Sequence, residues 1–406
     1  MMTGGGRISL MFRRHATVAI VTAITLLHGG AIGAQTRSPN LRTYETRYYV
    51  IHTDLGRDAA REAELRMTRM AEEYRRRTRD FSGAIRKKLP FYLFRNEADY
   101  HAAGGEPNTA GEYDPNAQAL KTFAGGERPN LATWYTVQHE GFHQFADHVI
   151  GGNLPIWANE GLAEYFGESL FTGDGFVAGV IPPWRLKRVR ETVEAGKFAP
   201  LDELLRLSHK QWNDGLSTKN YDHVWSLVQF LVHGGNGARR EGFAAFLKDA
   251  SGDAGAEPLA AFERNVGPTK DIEAEWRTYW TSLQENPTAD LYAEATLRTL
   301  TSFLARATAR RQRFDSFESF QMTAKKGDLK SSESDWLPPS LLKDALTRVA
   351  ELEMGGGQFT LVFDAPRPPR IVYVDSDDRE VLGRFTLKGA RVDQVVVERT
   401  AIRARE

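Results

Sequence analysis

The chain has 406 residues, 53 acidic and 53 basic side chains, and no cysteine. This length supports a large core and two domains, and the balanced charge leaves no basic stripe of the kind nucleic-acid binding requires. Without cysteine there are no disulfides and no thiolate metal ligands, so an exported form must rely on core size.

At the N-terminus, Arg13 and Arg14 precede a mostly apolar run from Ala16 to Leu27, followed by Gly29-Gly30-Ala31-Ile32-Gly33-Ala34. A positive start, a short apolar stretch and small residues predict a secretory signal over residues 1–34, too short to remain as a spanning helix. Cleavage is expected near Gly33 or Ala34, with Met11 as an alternative start and an uncleaved anchor as the other reading. The mature protein is then expected to be periplasmic or secreted, with no stable membrane span.

Tyr48 to His52 reads as a strand, Asp58 to Phe81 as a long charged helix, and Leu89 to Phe94 as a second strand. Residues 104–126 are rich in Gly, Asn and Pro, with short strand-like pieces at Glu112-Tyr113 and Ala119 to Phe123. Asn130 is placed to cap a helix that runs to about Ile150, and Gly151-Gly152-Asn153 ends it. From Trp157 to about Leu283 the pattern is mostly helical, with turns at Pro182-Pro183 and at Gly234 to Gly237. After Pro287 a helix is expected from about Ala289 to Arg313, then a polar stretch through Asp335. Strand-like runs follow at Gln358–Phe363, Arg370–Val374, Val381–Leu387 and Val392–Val397. The predicted fold class is α+β. A small mixed lobe and a helical lobe form a catalytic domain over residues 35–287, and a C-terminal accessory domain, helical then β-rich, covers 288–406. A metal between the two lobes would lie in their cleft.

The helix capped by Asn130 carries His139-Glu140-Gly141-Phe142-His143, an HExxH pattern. Residues four apart share a helix face, so His139 and His143 offer two imidazoles to one Zn²⁺. Glu140 lies one residue round, suited to act as general base toward a water on the metal. A catalytic zinc needs a third protein ligand. An extended HExxHxxGxxH pattern fails here, because Ala146 and Val149 stand where Gly and His are needed, and His148 is one residue out of register. A carboxylate from the next helix fits instead. Pro155-Ile156-Trp157 leads into Ala158-Asn159-Glu160-Gly161-Leu162-Ala163-Glu164-Tyr165, with Glu160 as the ligand. Glu164, one turn on, is the candidate acceptor for the second ring nitrogen of a ligating histidine, with Asp147 the weaker candidate. The swapped assignment, Glu164 on the metal and Glu160 behind it, stays open. Two surface histidines beside two solvated glutamates would be the plainer explanation. It does not account for the apolar company of Trp134, Tyr135, Val137, Phe142 and Phe145.

At these residues the chain resembles a gluzincin metallopeptidase, in particular the peptidase MA-like families, whose HExxH helix is followed by a P-x-W-x-x-E-G-x-A-x-Y segment. The resemblance spans about residues 45–285. It implies His139, His143 and Glu160 as ligands of one zinc per chain, Glu140 as catalytic carboxylate, and a peptide or protein substrate. It also implies an edge strand at residues 110–125 that pairs with extended substrate, an ordinary hairpin being the plain alternative. The Gly-x-Met-Glu-Asn stretch of the aminopeptidases is missing, which makes endopeptidase action the expected subtype. An oxyanion donor is needed opposite the base. The segment Lys219 to Leu231 resembles the helix that supplies it, with Tyr221 first and His223 second. The other readings are a non-catalytic zinc-containing binding or scaffold protein of the cell envelope, and a metallohydrolase of cell-wall amides.

Overall fold

In the computed structural model the described residues are 40–151, 154–252 and 257–399. The expected signal segment, and Gly152-Asn153 of the helix terminator, lie outside them. The chain opens with β1 (Arg42–Glu45), β2 (Tyr49–Thr53), α1 (Arg57–Thr78) and β3 (Leu89–Phe94). Then come α2 (Glu97–Ala102), β4 (Gly111–Asp114), β5 (Ala119–Phe123) and α3 (Leu131–Phe145). The five strands form one sheet of order β1-β2-β3-β5-β4. β2, β3 and β5 are parallel, while β1 and β4 run antiparallel to their neighbours. The central strands alternate: Tyr49, Ile51, Leu89, Phe91 and Leu93 are fully buried on one face, while Val50, His52, Pro90 and Tyr92 on the other are only half-buried. α1 and α3 cover the sheet. Ala59, Ala63, Met67 and Ala71 of α1, at four-residue spacing, share a core with Trp134 and Val137 of α3.

Asn130 caps α3 as its residue type predicts, accepting from the amide of Thr133 at 3.0 Å. The regular helix stops at Phe145, and a π-helical turn, Ala146–Ile150, completes the expected length. Gly151, at φ +114°, ends it in a conformation that favours glycine. Next are α4 (Ile156–Gly167), a small hairpin of β6 (Leu170–Phe171) and β7 (Phe176–Val177), and α5 (Pro183–Glu194). The helical lobe continues through α6 (Leu201–Leu205), α7 (His209–Asp214), α8 (Thr218–Gly237), α9 (Arg240–Ser251), α10 (Pro258–Asn265) and α11 (Thr269–Ser282). The regular part of α8 breaks at Gly234. Trp157 anchors α4 in this lobe, fully buried against Phe243, Phe246 and Phe262. Truncating such a side chain costs about 3–5 kcal/mol.

The C-terminal unit begins with α12 (Ala289–Ala309), as expected. The polar stretch after it contains α13 (Phe317–Lys326) and is followed by α14 (Pro339–Met354). The four strands β8 (Gln358–Val362), β9 (Arg370–Val374), β10 (Glu380–Lys388) and β11 (Arg391–Arg399) form an antiparallel meander ordered β11-β10-β9-β8. One face of it packs on α12 and α14, around Leu297, Leu304, Leu342, Ile371 and Phe385. The fold is mixed α/β with a β-rich C-terminal module. No helix among the described residues is long and apolar enough to cross a membrane.

Candidate metal centre

α3 and α4 lie side by side, and each contributes to one cluster. His139 and His143 point from one face of α3, and Glu160 faces them from the second turn of α4. The three Nε2 and Oε2 atoms form a triangle: 3.1 Å between the two imidazole nitrogens, and 3.5 and 3.6 Å from these to Glu160 Oε2. Two ligands about 2.0–2.1 Å from a tetrahedral zinc stand roughly 3.3–3.4 Å apart, so the triangle has the edges of such a site. Its three atoms belong to the group suited to hold a metal ion.

The outer ring nitrogens decide the tautomers. His143 Nδ1 lies 3.2 Å from Asn159 Oδ1 in hydrogen-bond geometry, and His139 Nδ1 lies 3.1 Å from Glu164 Oε1, within ion-pair range but out of line for a hydrogen bond. With a proton on each Nδ1, both Nε2 lone pairs face one another and a carboxylate. Glu160 Oε2 is buried with no hydrogen bond among the described residues. Three converging lone pairs on largely buried side chains repel each other unless a proton or a metal cation lies between them. The residues present therefore fit a metal ion. Burial opposes charging His139, yet Glu160 and Glu164 hold its pKa well above the ordinary value. Burial likewise works against the charge on Glu160, and the two histidines overcome it and keep the carboxylate ionised.

Glu164 is the branching point behind the cluster. Its Oε2 accepts from the Tyr135 hydroxyl at 2.7 Å and from Arg185 at 2.5 Å. Burial raises its pKa, but Arg185 foremost brings it down to about 2. Arg185, on α5, is 2 % exposed and also meets Glu168 at 2.9 Å and Asp222 at 3.0 Å. Its guanidinium lies 4.2 Å from the Trp225 ring centroid.

Glu140 lies beside the triangle and outside it, and the Tyr113 backbone N–H of the edge strand donates to its Oε2 at 2.9 Å. Burial is the main cause of a raised Glu140 pKa. Glycines allow these close approaches. A Cβ on Gly111 would lie 2.8 Å from Thr136 Cγ2, so β4 presses directly on α3. A Cβ on Gly161 would lie 2.7 Å from the Val224 carbonyl oxygen, so only glycine lets α8 reach α4 without displacement. That approach brings Tyr221 to the site, its ring 6.1 Å from that of His139. Burial, then the charges of Glu160, Glu164 and Glu140, push the Tyr221 phenol up, so it stays protonated and able to donate.

Residues 133–259 are similar to a family described as "Protein of unknown function (DUF1570)". No curated protein and no solved structure matches the chain. The matched segment holds all three members of the triangle, together with Glu140, Glu164, Arg185 and Tyr221.

Two sequence expectations change. His223 does not reach the site. Two residues on a helix are about 200° apart, and His223 faces the opposite way, packed 4.5 Å from Phe198 and 5.1 Å from Trp276 ring to ring. Burial there lowers its pKa to about 3. Asp147 does not orient His143 either. The π-turn begins at Ala146, and Asp147 instead accepts from the Tyr113 hydroxyl at 2.5 Å. Asn159 takes the place beside His143. Its signal was available, as the polar residue directly before Glu160 on the same helix. Arg185, Tyr135 and the Tyr113 amide were also missed.

Proposed function

We propose that the protein is a zinc-dependent, gluzincin-type peptide hydrolase, an endopeptidase acting outside the cytoplasm. The observation that carries this reading is the His139–His143–Glu160 triangle with a second carboxylate, Glu140, beside it but outside the ligand set. A site built only for structure would have no use for Glu140 there. Zinc held at the triangle would polarise a carbonyl and bring the pKa of water to about 7.

The chain's own residues supply the rest. The Tyr113 amide occupies Glu140 Oε2 and fixes the carboxylate, leaving Oε1 to take a proton from an attacking water and return it to the leaving amine. A raised pKa brings Glu140 closer to neutrality, where an acid–base shuttle works in both directions. Tyr221, protonated and beside the cluster, donates to the oxygen on which charge develops. Glu164 and Asn159 hold the imidazoles in the tautomers that present Nε2 inward. β4 is an edge strand next to Glu140, placed to pair with an extended peptide.

The test is metal content and peptide hydrolysis on purified wild type and Glu140→Ala. One zinc per chain in both, with cleavage by the wild type alone, is the expected result. Zinc without any cleavage over a broad peptide panel would favour a binding role, and released muropeptides from purified sacculi would favour a cell-wall amide as substrate. Failure to take up zinc even on reconstitution would overturn the proposal. Export belongs to the same proposal, and mass-spectrometric mapping of the mature N-terminus near residue 34 tests it.

A further inference from the structure

Both ligand-bearing helices are tied to parts of the molecule that the C-terminal unit holds. Gln138, next to His139, donates from Nε2 to the carbonyls of Phe166, Gly167 and Ser169 at 3.1, 2.9 and 3.1 Å. These carbonyls are the exit of α4, and the β6–β7 hairpin follows at once. Its Phe171 is buried in the C-terminal core, not in the core of the helical lobe. Gly173 in the turn lies so close that a Cβ would be 3.0 Å from Leu337. Asp174 pairs with Arg306 of α12 at 3.0 Å and accepts from Ser302 of the same helix. Val177 packs against Ala295, also on α12.

A second line reaches α3. Ser340 of α14 donates to Glu62 of α1, 3.1 Å from either carboxylate oxygen. Glu62 accepts from Arg66 at 2.8 Å. The Arg66 guanidinium then lies 4.7 Å from the Trp134 ring of α3 and 4.6 Å from the Phe171 ring. Glu62, Arg66, Trp134 and Phe171 are all buried.

The geometry points to the C-terminal unit as the clamp that sets the spacing of α3 and α4, through Phe171 and the Glu62–Arg66–Trp134 stack, and so fixes the site's metal affinity. This rests on the metal reading proposed above. Two ligands come from α3 and the third from α4. A shift of α4 along α3 by much more than about 0.5 Å takes Glu160 out of a productive triangle. The segment similar to DUF1570 contains every ligand, but it ends before α12 and α14. The C-terminal unit is a positioning element, and the segment holding the ligands depends on it.

The test uses the full chain and Zn²⁺ as probe, with affinity read by competition against a chromophoric chelator. A cobalt-substituted sample adds the d–d spectrum as a report on ligand geometry. Phe171→Ala is compared with Phe317→Ala, which empties the same C-terminal core where Phe317 packs on Phe320 and Phe359. Both are expected to lower the unfolding midpoint. Phe171→Ala alone is expected to weaken zinc binding, by about tenfold, and to alter the cobalt spectrum, with Phe171→Leu restoring most of the affinity. Asp174→Asn, at a partly exposed hairpin tip, gives a smaller drop in the same direction and serves if Phe171→Ala does not fold. If the wild type binds zinc and the hairpin variants match it within about twofold, or Phe317→Ala weakens binding equally, the clamp is refuted while the metal reading stands. If the wild type binds no zinc, the metal reading itself has failed.

Discussion

Replacing Arg185 with methionine tests the charge network behind the His139–His143–Glu160 cluster. Methionine keeps most of the volume and removes the cation that three carboxylates share. Asp222 would keep Arg188, and Glu164 would keep Tyr135 and His139. Glu168 would keep no ion pair among the described residues. Leaving a buried charge without its partner costs about 3–5 kcal/mol, the loss expected at pH 7. The pH dependence follows from the sign of the shift. Arg185 holds Glu164 at about 2, below the ordinary 4.5. The stability this contributes is therefore fully present above 4.5 and fades as pH falls toward 2. In the variant the stranded carboxylates take up protons more readily, so the gap to wild type is widest near neutrality and narrows below 4.5. Urea unfolding of the metal-free proteins at pH 7 and pH 4 measures both. A loss under about 1 kcal/mol at pH 7, or a gap that does not narrow at pH 4, would refute the reasoning.

Gly161→Ala sets a helix-propensity gain of about 1 kcal/mol against overpacking of about 1–3 kcal/mol on α8. A net loss of stability by denaturant titration is expected, and a rise in the unfolding midpoint would show that α8 gives way easily. His223 is buried neutral with its pKa lowered from 6.5 to about 3, so the stability it confers is present above 6.5 and lost as pH falls toward 3. His223→Phe should flatten the stability–pH curve between about pH 6 and pH 4 by roughly 1.4 kcal/mol per pH unit, and an unchanged slope would contradict this. Tyr221→Phe should lower turnover about 10²–10³-fold at unchanged zinc affinity. Equal loss of both would make Tyr221 a packing residue.

The two histidines were legible because their spacing alone puts them on one helix face, and Glu160 because a Pro-x-Trp entry announces a new helix. The choice between Tyr221 and His223 was not legible. It depends on which face of α8 meets α4, and Gly161, on the other helix, sets that face. Asp147 failed because one π-turn breaks the four-residue count on which its assignment rested. Arg185, between Trp184 and Leu186, reads as an ordinary surface charge. Its burial is a joint property of Glu164, Glu168 and Asp222, from two other helices. The C-terminal strands were legible from alternation, whereas α13 and α14 were passed over. The apolar set Leu341, Leu342, Ala345 and Val349 of α14 did carry a helical period.

The contact between the Tyr113 amide and Glu140 also bears on how the molecule behaves in concentrated solution. An open sheet rim offers unpaired amides to a neighbouring chain. The rim at β4 is only four residues long, and its Tyr113 amide is already committed to an internal carboxylate. The nine-residue rim at β11 carries Arg391, Asp393, Glu398 and Arg399, charges that discourage a second strand. Glu140→Ala removes the carboxylate and uncovers the Tyr113 amide. Glu140→Ala is thus expected to self-associate more readily than the wild type, visible in light scattering as a rise in apparent mass with concentration that the wild type does not show.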